Sequence, residues 1–474
     1  MTVSTDRQFI FKRIEESMMN TNKEALLLRV LVFTLIISVM NGMMFNVVLP
    51  VIGKEFQLTA SQASWIVTGY LIVYAIGTVT YGKLTDKYSI KGLISFGLWI
   101  LAAGSLLGIV ATEYWMVIVA RIVQAAGAAV IPALAMIIPV RYFAPEKRGQ
   151  ALGTSAIGIA LGNALAPIVA GFVSSALSWQ FLFVIPLLSL AALPFYRKYM
   201  DDERGGSEKM DYLGGALLAG TVATLLLALT QSNAWFLLIG MVLLILFIMR
   251  IRYAEVPFVK PAVFQNKAYS AGMGIAFLLI AISPAIPFTT PQLLSEVHGL
   301  SPALTGVIML PSALVAALLG RKGGRLADEK GNPFLLYTAS SLLVVGFISL
   351  SLVVGATPVL ISCFLVFGVL GQSYMQIAIS NTIAQTLPKE QIGIGMGLLS
   401  MFNFIAVSVS TAALGKVLDG GKTTLQLNPL IQDKTAFVYS NIFIVLALFV
   451  IAMTMLYMLQ FGRKSKTVHH SSAS

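Results

Sequence analysis

Cysteine is almost absent: among 474 residues only Cys363 occurs, inside an apolar run. That excludes an internal disulfide and any metal site built on clustered cysteines. Histidine is nearly as scarce, with His298, His469 and His470, the last two in a polar tail. A zinc centre needs a set of Cys, His or carboxylate ligands converging on one point, so neither a metal nor zinc-dependent hydrolysis is expected. No Gly-x-x-x-x-Gly-Lys loop is present to cradle a phosphate, which leaves ATP drive and a nucleotide cofactor without support. Charge is thin as well, at 11% Asp, Glu, Lys and Arg, against roughly 25% in soluble domains.

What fills the chain instead is apolar. Hydrophobic residues make up 57% and the mean hydropathy is +0.85, the composition of a protein that crosses the bilayer many times. The balance is basic, 32 Lys and Arg against 20 Asp and Glu. Nucleic-acid binding would need those charges gathered on one soluble face, and here they sit in short loops between apolar runs.

A helix needs about 20 apolar residues to cross the hydrocarbon core. Fourteen runs meet that length, at 27–51, 64–83, 92–111, 115–139, 150–173, 180–196, 213–231, 234–250, 270–292, 303–320, 334–354, 358–382, 392–415 and 437–461. Of the 32 basic residues, Arg121 lies inside a run and Lys54, Lys416, Lys422 and Lys434 fall in one set of loops. The other 27 fall in the two tails and the alternate loops. The positive-inside rule therefore places both termini in the cytoplasm. The stretch Arg7–Glu24, with Phe9, Ile10, Phe11, Ile14 and Met18 among its charges, reads as an interfacial helix or a solvated tail.

The chain also repeats itself. Gly82-Lys83-Leu84-Thr85-Asp86-Lys87 recurs as Gly324-Arg325-Leu326-Ala327-Asp328-Glu329, an offset of 242. Leu58-Thr59 and Leu300-Ser301 keep that offset, Pro50 and Pro291 differ from it by one, and Gly149 and Gly153 match Gly393 and Gly397 within two. This divides the chain into an N-terminal tail (1–26), a six-helix bundle (27–196), a linker with two extra membrane helices (197–269), a second six-helix bundle (270–461) and a C-terminal tail (462–474). Large internal repeats mark secondary transporters, whose substrate site lies near the midplane between the halves.

With these motifs in view, the chain resembles the major facilitator superfamily, in particular its fourteen-helix drug/proton antiporter branch, over nearly its whole length. Gly82 to Lys91 resembles that family's cytoplasmic loop motif. There a small Gly lets helix ends approach while Asp86, with Lys87 and Lys91, forms a charged latch; Gly324, Arg325 and Asp328 would form its echo. Ser89 and Ile90 stand where the family usually has Gly and Arg. Arg121-Ile122-Val123-Gln124-Ala125 is similar to the family's Arg-x-x-Gln-Gly motif. The fifth run, with Gly158, Gly162, Ala166, Pro167 and Gly171, is similar to the antiporter motif, its small residues giving a flat packing face and Pro167 a bend. The resemblance implies an all-α major facilitator fold, alternating access between two bundles, and export of small amphiphilic drugs or toxic compounds in exchange for protons. It also implies residence in the plasma membrane as a monomer, with no enzyme activity.

One family feature is missing. Transporters of this branch carry membrane-embedded carboxylates on the first, fifth and thirteenth helices, and the matching positions here are Gly42, Asn163 and about Val407. All 20 acids lie in loops, tails or run edges. An inside-negative potential opposes cation export by about 2.3 kcal/mol per charge per 100 mV, which directs attention to neutral or anionic substrates. The buried candidates for substrate or coupling contact are Arg121, Gln124, Asn41, Asn46, Asn163, Tyr70, Gln372, Gln376 and Asn403, with Tyr74 a further polar group within a span. A charge or amide inside the membrane must face protein or water, so each reads either as an interhelical hydrogen bond or as a ligand contact. Pro284, Pro287 and Pro291 predict a kink in the outer half of the ninth run. Two further readings stay open: export of a self-made metabolite or anionic, lipid-like compound, and a non-transporting membrane sensor.

Overall fold

The computed structural model describes residues 3–85, 87–143, 145–200, 211–259, 261–388, 392–420 and 425–461. Among them fourteen helical segments are long and apolar enough to span a bilayer, within a few residues of the runs read from hydropathy. In chain order the helices are α1 (Val3–Glu55), α2 (Ala60–Leu84), α3 (Ile90–Ile109), α4 (Tyr114–Ala128), α5 (Val130–Tyr142), α6 (Pro145–Ala176) and α7 (Leu193–Tyr199). They continue with α8 (Tyr212–Gln231), α9 (Ala234–Tyr253), α10 (Lys267–Ile280), α11 (Ala285–Glu296), α12 (Pro302–Lys330), α13 (Asn332–Val353), α14 (Pro358–Gln385), α15 (Ile392–Asp419) and α16 (Phe437–Phe461). Successive spans alternate direction. The face from which the first span enters is called the near face and the opposite one the far face.

Three spans are not single α-helices. The fourth is α4 and α5, meeting at Ala129. The sixth opens as a 3-10 helix, Trp179–Ala192, and closes as α7. Its buried Phe183, Pro186, Ser189 and Ala192 recur every third residue, as three residues per turn requires. The ninth breaks between α10 and α11, with a turn ending at Pro284. The expected kink therefore falls at Pro284, the first of the three prolines and just past the middle of the span, while Pro287 and Pro291 are absorbed within α11. Pro167 likewise stays within a continuous α6. The stretch before the first span is neither a separate interfacial helix nor an irregular tail: its backbone continues α1 from Val3.

The repeat has a local cause at the helix starts. Thr59 caps α2 by accepting from the Gln62 N–H at 3.3 Å, and the Gln62 side chain accepts from the Thr59 N–H at 2.9 Å. Ser301, its counterpart, caps α12 by accepting from the Leu304 N–H, with Pro302 in the first turn. Such caps satisfy amides that a helix start leaves unbonded. A second symmetric pair lies at the far rim. Glu55, at the end of α1, accepts from the Trp179 indole N–H at 2.6 Å; Glu296, at the end of α11, accepts from the Tyr439 hydroxyl at 2.6 Å.

α1 of the first half packs against α11 of the second, and the halves meet most extensively along two seams, α2 against α15 and α6 against α12. Both are shut on the far side. The Ser61 N–H donates to Asp419 at 3.0 Å and the Ser61 hydroxyl also donates to that carboxylate. A methyl on Gly415 would lie 2.9 Å from Ser61 Cα, and one on Gly171 would lie 2.5 Å from the Pro302 carbonyl oxygen. The Ala303 N–H donates to Ser175 Oγ at 3.1 Å. Toward the near face the seams part. Ile76–Thr80 of α2 and Ala313–Gly320 of α12 contain no buried residue. Every direct hydrogen bond between the halves among the described residues is on the far side.

The extra helices α8 and α9 form a hairpin at the edge of this arrangement, with α8 against both α2 and α15. Thr230 ties its far end to both halves, accepting from Trp65 Nε1 at 3.2 Å and, through its carbonyl, from Lys416 Nζ at 3.2 Å. At the near end Lys83 donates to the carbonyls of Pro257 and Phe258. There Asp211 caps α8. Burial disfavours its charge, but bonds from the Gly214 N–H, the Arg250 guanidinium at 2.9 Å and the Phe258 N–H outweigh burial. Together they hold the carboxyl below the usual carboxylate range.

Candidate functional site

Among the described residues the first bundle encloses a single cation, and glycines decide how. A methyl on Gly97 would lie 2.9 Å from the Gly127 carbonyl oxygen, and one on Gly104 would lie 2.5 Å from the Gln124 amide nitrogen. Close approach of this kind is how small residues draw membrane helices together. It sets Gln124 Nε2 2.8 Å from Ser105 Oγ, which in turn donates to the Leu101 carbonyl. Anchored in this way, Gln124 presents its Oε1 to Arg121 NH1 at 3.0 Å.

Arg121 is wholly buried. Its Nε donates to the Ile66 carbonyl at 3.2 Å, and NH1 also donates to the Asn41 carbonyl at 3.3 Å and side-chain Oδ1 at 3.1 Å. The guanidinium lies between two rings, 4.2 Å from the centroid of Phe45 and 4.0 Å from that of Tyr70. A desolvated cation over an aromatic face gains about 2 kcal/mol or more, which together with these hydrogen bonds works against the cost of burial. NH2 of Arg121, Nδ2 of Asn41 and the hydroxyl of Tyr70 are buried without a hydrogen-bond partner.

Aromatic rings extend from this centre in two directions. Tyr70 stacks on Tyr74 at 5.5 Å, and Tyr74 meets Phe404 of the other half edge-on at 5.0 Å. Toward the far rim, Phe45 packs on Phe183 at 4.9 Å, and Phe183 on Trp179, whose indole holds Glu55. A hollow of about 460 Å³ opens on the far face beside Glu55, Thr112, Ser178 and Gln180.

Of the residues expected from sequence, Asn41, Tyr70, Arg121 and Gln124 come together here. Asn46 does not join them: it is buried and donates to the Met43 carbonyl at 3.2 Å, an intrahelical bond. Asn163 is exposed one turn before Pro167 on α6, where the α6–α12 seam begins to part. Asn403 is half-buried next to Phe404. Gln372 and Gln376 share a face of α14, Gln372 with a buried, unpartnered Nε2 and Gln376 half-buried. Tyr74, also singled out in sequence as a polar group within a span, stands beside Tyr70, whereas sequence reasoning missed Phe45, Ile66, Ser105 and Phe404. Only Gly104, one position before Ser105, carried a signal, because a glycine within an apolar span marks a close helix crossing.

The glycine motifs divide by face. Gly158 and Gly162 abut α1, where a methyl would lie 3.2 Å from the Val32 and 2.8 Å from the Ile36 carbonyl oxygen; Gly171 abuts α12. Ala166 and Pro167 are buried. Gly82 and Gly324 are expected to let helix ends approach, but among the described residues a methyl on either would meet no atom within 4 Å. The approach is not made because the near ends of these helices stand apart. Asp86 lies outside the described residues. Lys87 is exposed over the Tyr88 ring, Lys91 is half-buried, and Arg325 and Asp328 are exposed; among the described residues none of these four forms an ion pair.

The profile of the Major Facilitator Superfamily matches residues 31–411. The riboflavin transporter RibZ of Clostridioides difficile is 26% identical over 386 residues, covering 79% of this chain and 84% of that protein. A multidrug resistance protein B homolog of Mycobacterium tuberculosis is 27% identical, covering 77% and 70%. Among solved structures, the inward-facing, unoccupied form of a bacterial homolog of the human lysosomal transporter Spinster superposes with a TM-score of 0.66 at 14% identity. It covers 92% of this chain and 97% of that one, a likeness of fold. Fourteen membrane helices, two seamed bundles and a family match over most of the chain lead to one conclusion: this protein is a membrane transporter of the Major Facilitator Superfamily.

Proposed function

We propose that the chain exports small amphiphilic drugs or toxic compounds of the tetracycline and multidrug type by alternating access, in exchange for entering protons, as a monomer in the plasma membrane. The near face is then the cytoplasmic one, both termini included, as the basic residues of the near-face loops require. One observation carries this reading. Gly171, Gly306 and Gly415, at the far ends of the seams, are pressed against the opposite half. Gly82, Gly153, Gly324 and Gly397, at the near ends of the same four helices, face open space. Packing on one side and idle small residues on the other fit a machine that closes one face while opening the other. Gly82 to Lys91 and its echo are the groups that would latch when the near face shuts.

The relatives' names, a multidrug resistance protein and a riboflavin transporter, favour an organic molecule as cargo. With no carboxylate in the membrane core, incoming protons would be received at the far-rim acids Glu55, Glu296 and Asp419. The test pairs drug susceptibility in cells with and without the gene with efflux from vesicles under imposed pH gradient and potential. Resistance and gradient-driven efflux are expected. Unchanged intracellular accumulation of every compound in a broad panel would instead favour a sensor.

A further inference from the structure

Arg121 carries a full positive charge with no counter-ion: among the described residues no carboxylate pairs with it. Burying one member of an ion pair alone is costly, and here the compensation is incomplete. Two N–H groups on Arg121 NH2 have no hydrogen-bond partner, and Asn41 Nδ2 and the Tyr70 hydroxyl beside it are buried with no partner outside this cluster. Arginine and amide nitrogens can only donate. The complement of this set is therefore an acceptor, and next to an unneutralised guanidinium it is an anionic one.

We propose that Arg121, Asn41 and Tyr70 bind the carboxylate of a small aromatic acid, which is then the cargo class of the site. The inference rests on the exporter reading for the route and direction of that cargo. The rings supply the rest of the fit. Phe45 and Tyr70 flank the guanidinium, and Tyr74 with Phe404 continues the aromatic wall to the seam between halves. Tyr74 lies one turn closer to the near face than Tyr70, so a molecule entering the near-side cleft meets the Tyr74–Phe404 contact first. That contact joins the two halves, and the proposal requires it to part for a cargo to reach the buried donors behind it. An anion gains from the site twice, since an inside-negative potential also drives it outward.

The test uses the purified full-length protein with 2-naphthoate and its uncharged analogue 2-naphthamide. A charge-assisted hydrogen bond separates the two ligands by about tenfold or more in affinity, so wild type is expected to prefer the acid by at least that factor. Asn41→Asp places a carboxylate where Oδ1 already accepts from NH1 and supplies the missing counter-ion. Its preference is expected to vanish while its melting temperature holds or rises. Tyr70→Phe removes one donor without changing shape and is expected to reduce the preference several-fold, which decides the matter if Asn41→Asp fails to fold. Equal affinity of wild type for acid and amide, binding of neither, or a preference retained in Asn41→Asp overturns the proposal. Efflux of the drug panel is scored separately. Export without acid preference overturns the anion site alone, and acid preference without export overturns the exporter reading alone.

Discussion

Asp419→Ala removes a carboxylate that accepts from both the backbone N–H and the hydroxyl of Ser61 across the α2–α15 seam. The charge also sits at the start of α2, where the helix dipole favours an anion. A hydrogen bond to a charged group contributes about 1.5–3 kcal/mol when shielded, but Asp419 is exposed, so the lower end of that range applies to the pair as a whole. About 1.4 kcal/mol is a tenfold change in an equilibrium constant, and the far-open population should rise about tenfold. Ser408 provides the reporter. It is fully buried and lies on the α15 stripe that runs from Phe404, which meets Tyr74, to Gly415, which meets Ser61. With Cys363→Ser removing the one native thiol, Ser408→Cys is labelled from outside intact cells by an impermeant maleimide only when the far seam opens. Asp419→Ala should raise that labelling rate about tenfold. An unchanged or slower rate would refute the assignment of Asp419 to far-face closure.

Two further outcomes follow from the packing and the charges. Gly104→Val forces atoms against the Gln124 backbone, where a bare methyl already lies at 2.5 Å; overpacking of this kind costs about 1–3 kcal/mol, read as a lower melting temperature and weaker binding at Arg121. Asp211 titrates below the usual carboxylate range, so its stabilisation is present above its unfolded-state value and is lost as pH falls through the depressed folded-state value. Asp211→Asn can keep the Gly214 cap but loses the ion pair with half-exposed Arg250. It also loses the Phe258 N–H bond to the second carboxylate oxygen, which costs about 1–3 kcal/mol when left unsatisfied, and it should flatten the acid limb of a stability–pH profile.

Much of the fold was legible because a membrane makes sequence speak plainly. Apolar run length and charged ends define the spans, and the runs agree with the helices within a few residues. What escaped was the interior of the spans. Nothing in hydropathy distinguishes a 3-10 helix from an α-helix, so the opening of the sixth span was misread. Three prolines pointed to a kink in the ninth span, but not to which of them makes it: the break ends at Pro284 and the other two sit inside α11. At the site, Arg121, Gln124, Asn41 and Tyr70 stood out because polar groups are rare in hydrocarbon. Phe45 and Phe404 did not, because aromatic residues are common there and only packing tells a cation-bearing ring from a lipid-facing one. The glycines of the loop motif were legible as a repeat. Their meaning depends on which face is closed, and a sequence does not carry conformational state.

The central claim is that the halves must separate at the far seam for transport. Ser61→Cys with Asp419→Cys, in the Cys363→Ser background, places two thiols at positions whose side chains now touch across that seam. Efflux of a compound from the susceptibility panel is then measured before and after treatment with a short thiol cross-linker, and again after reduction. Alternating access predicts that cross-linking abolishes efflux and that reduction restores it. Full efflux from the cross-linked protein would contradict the account.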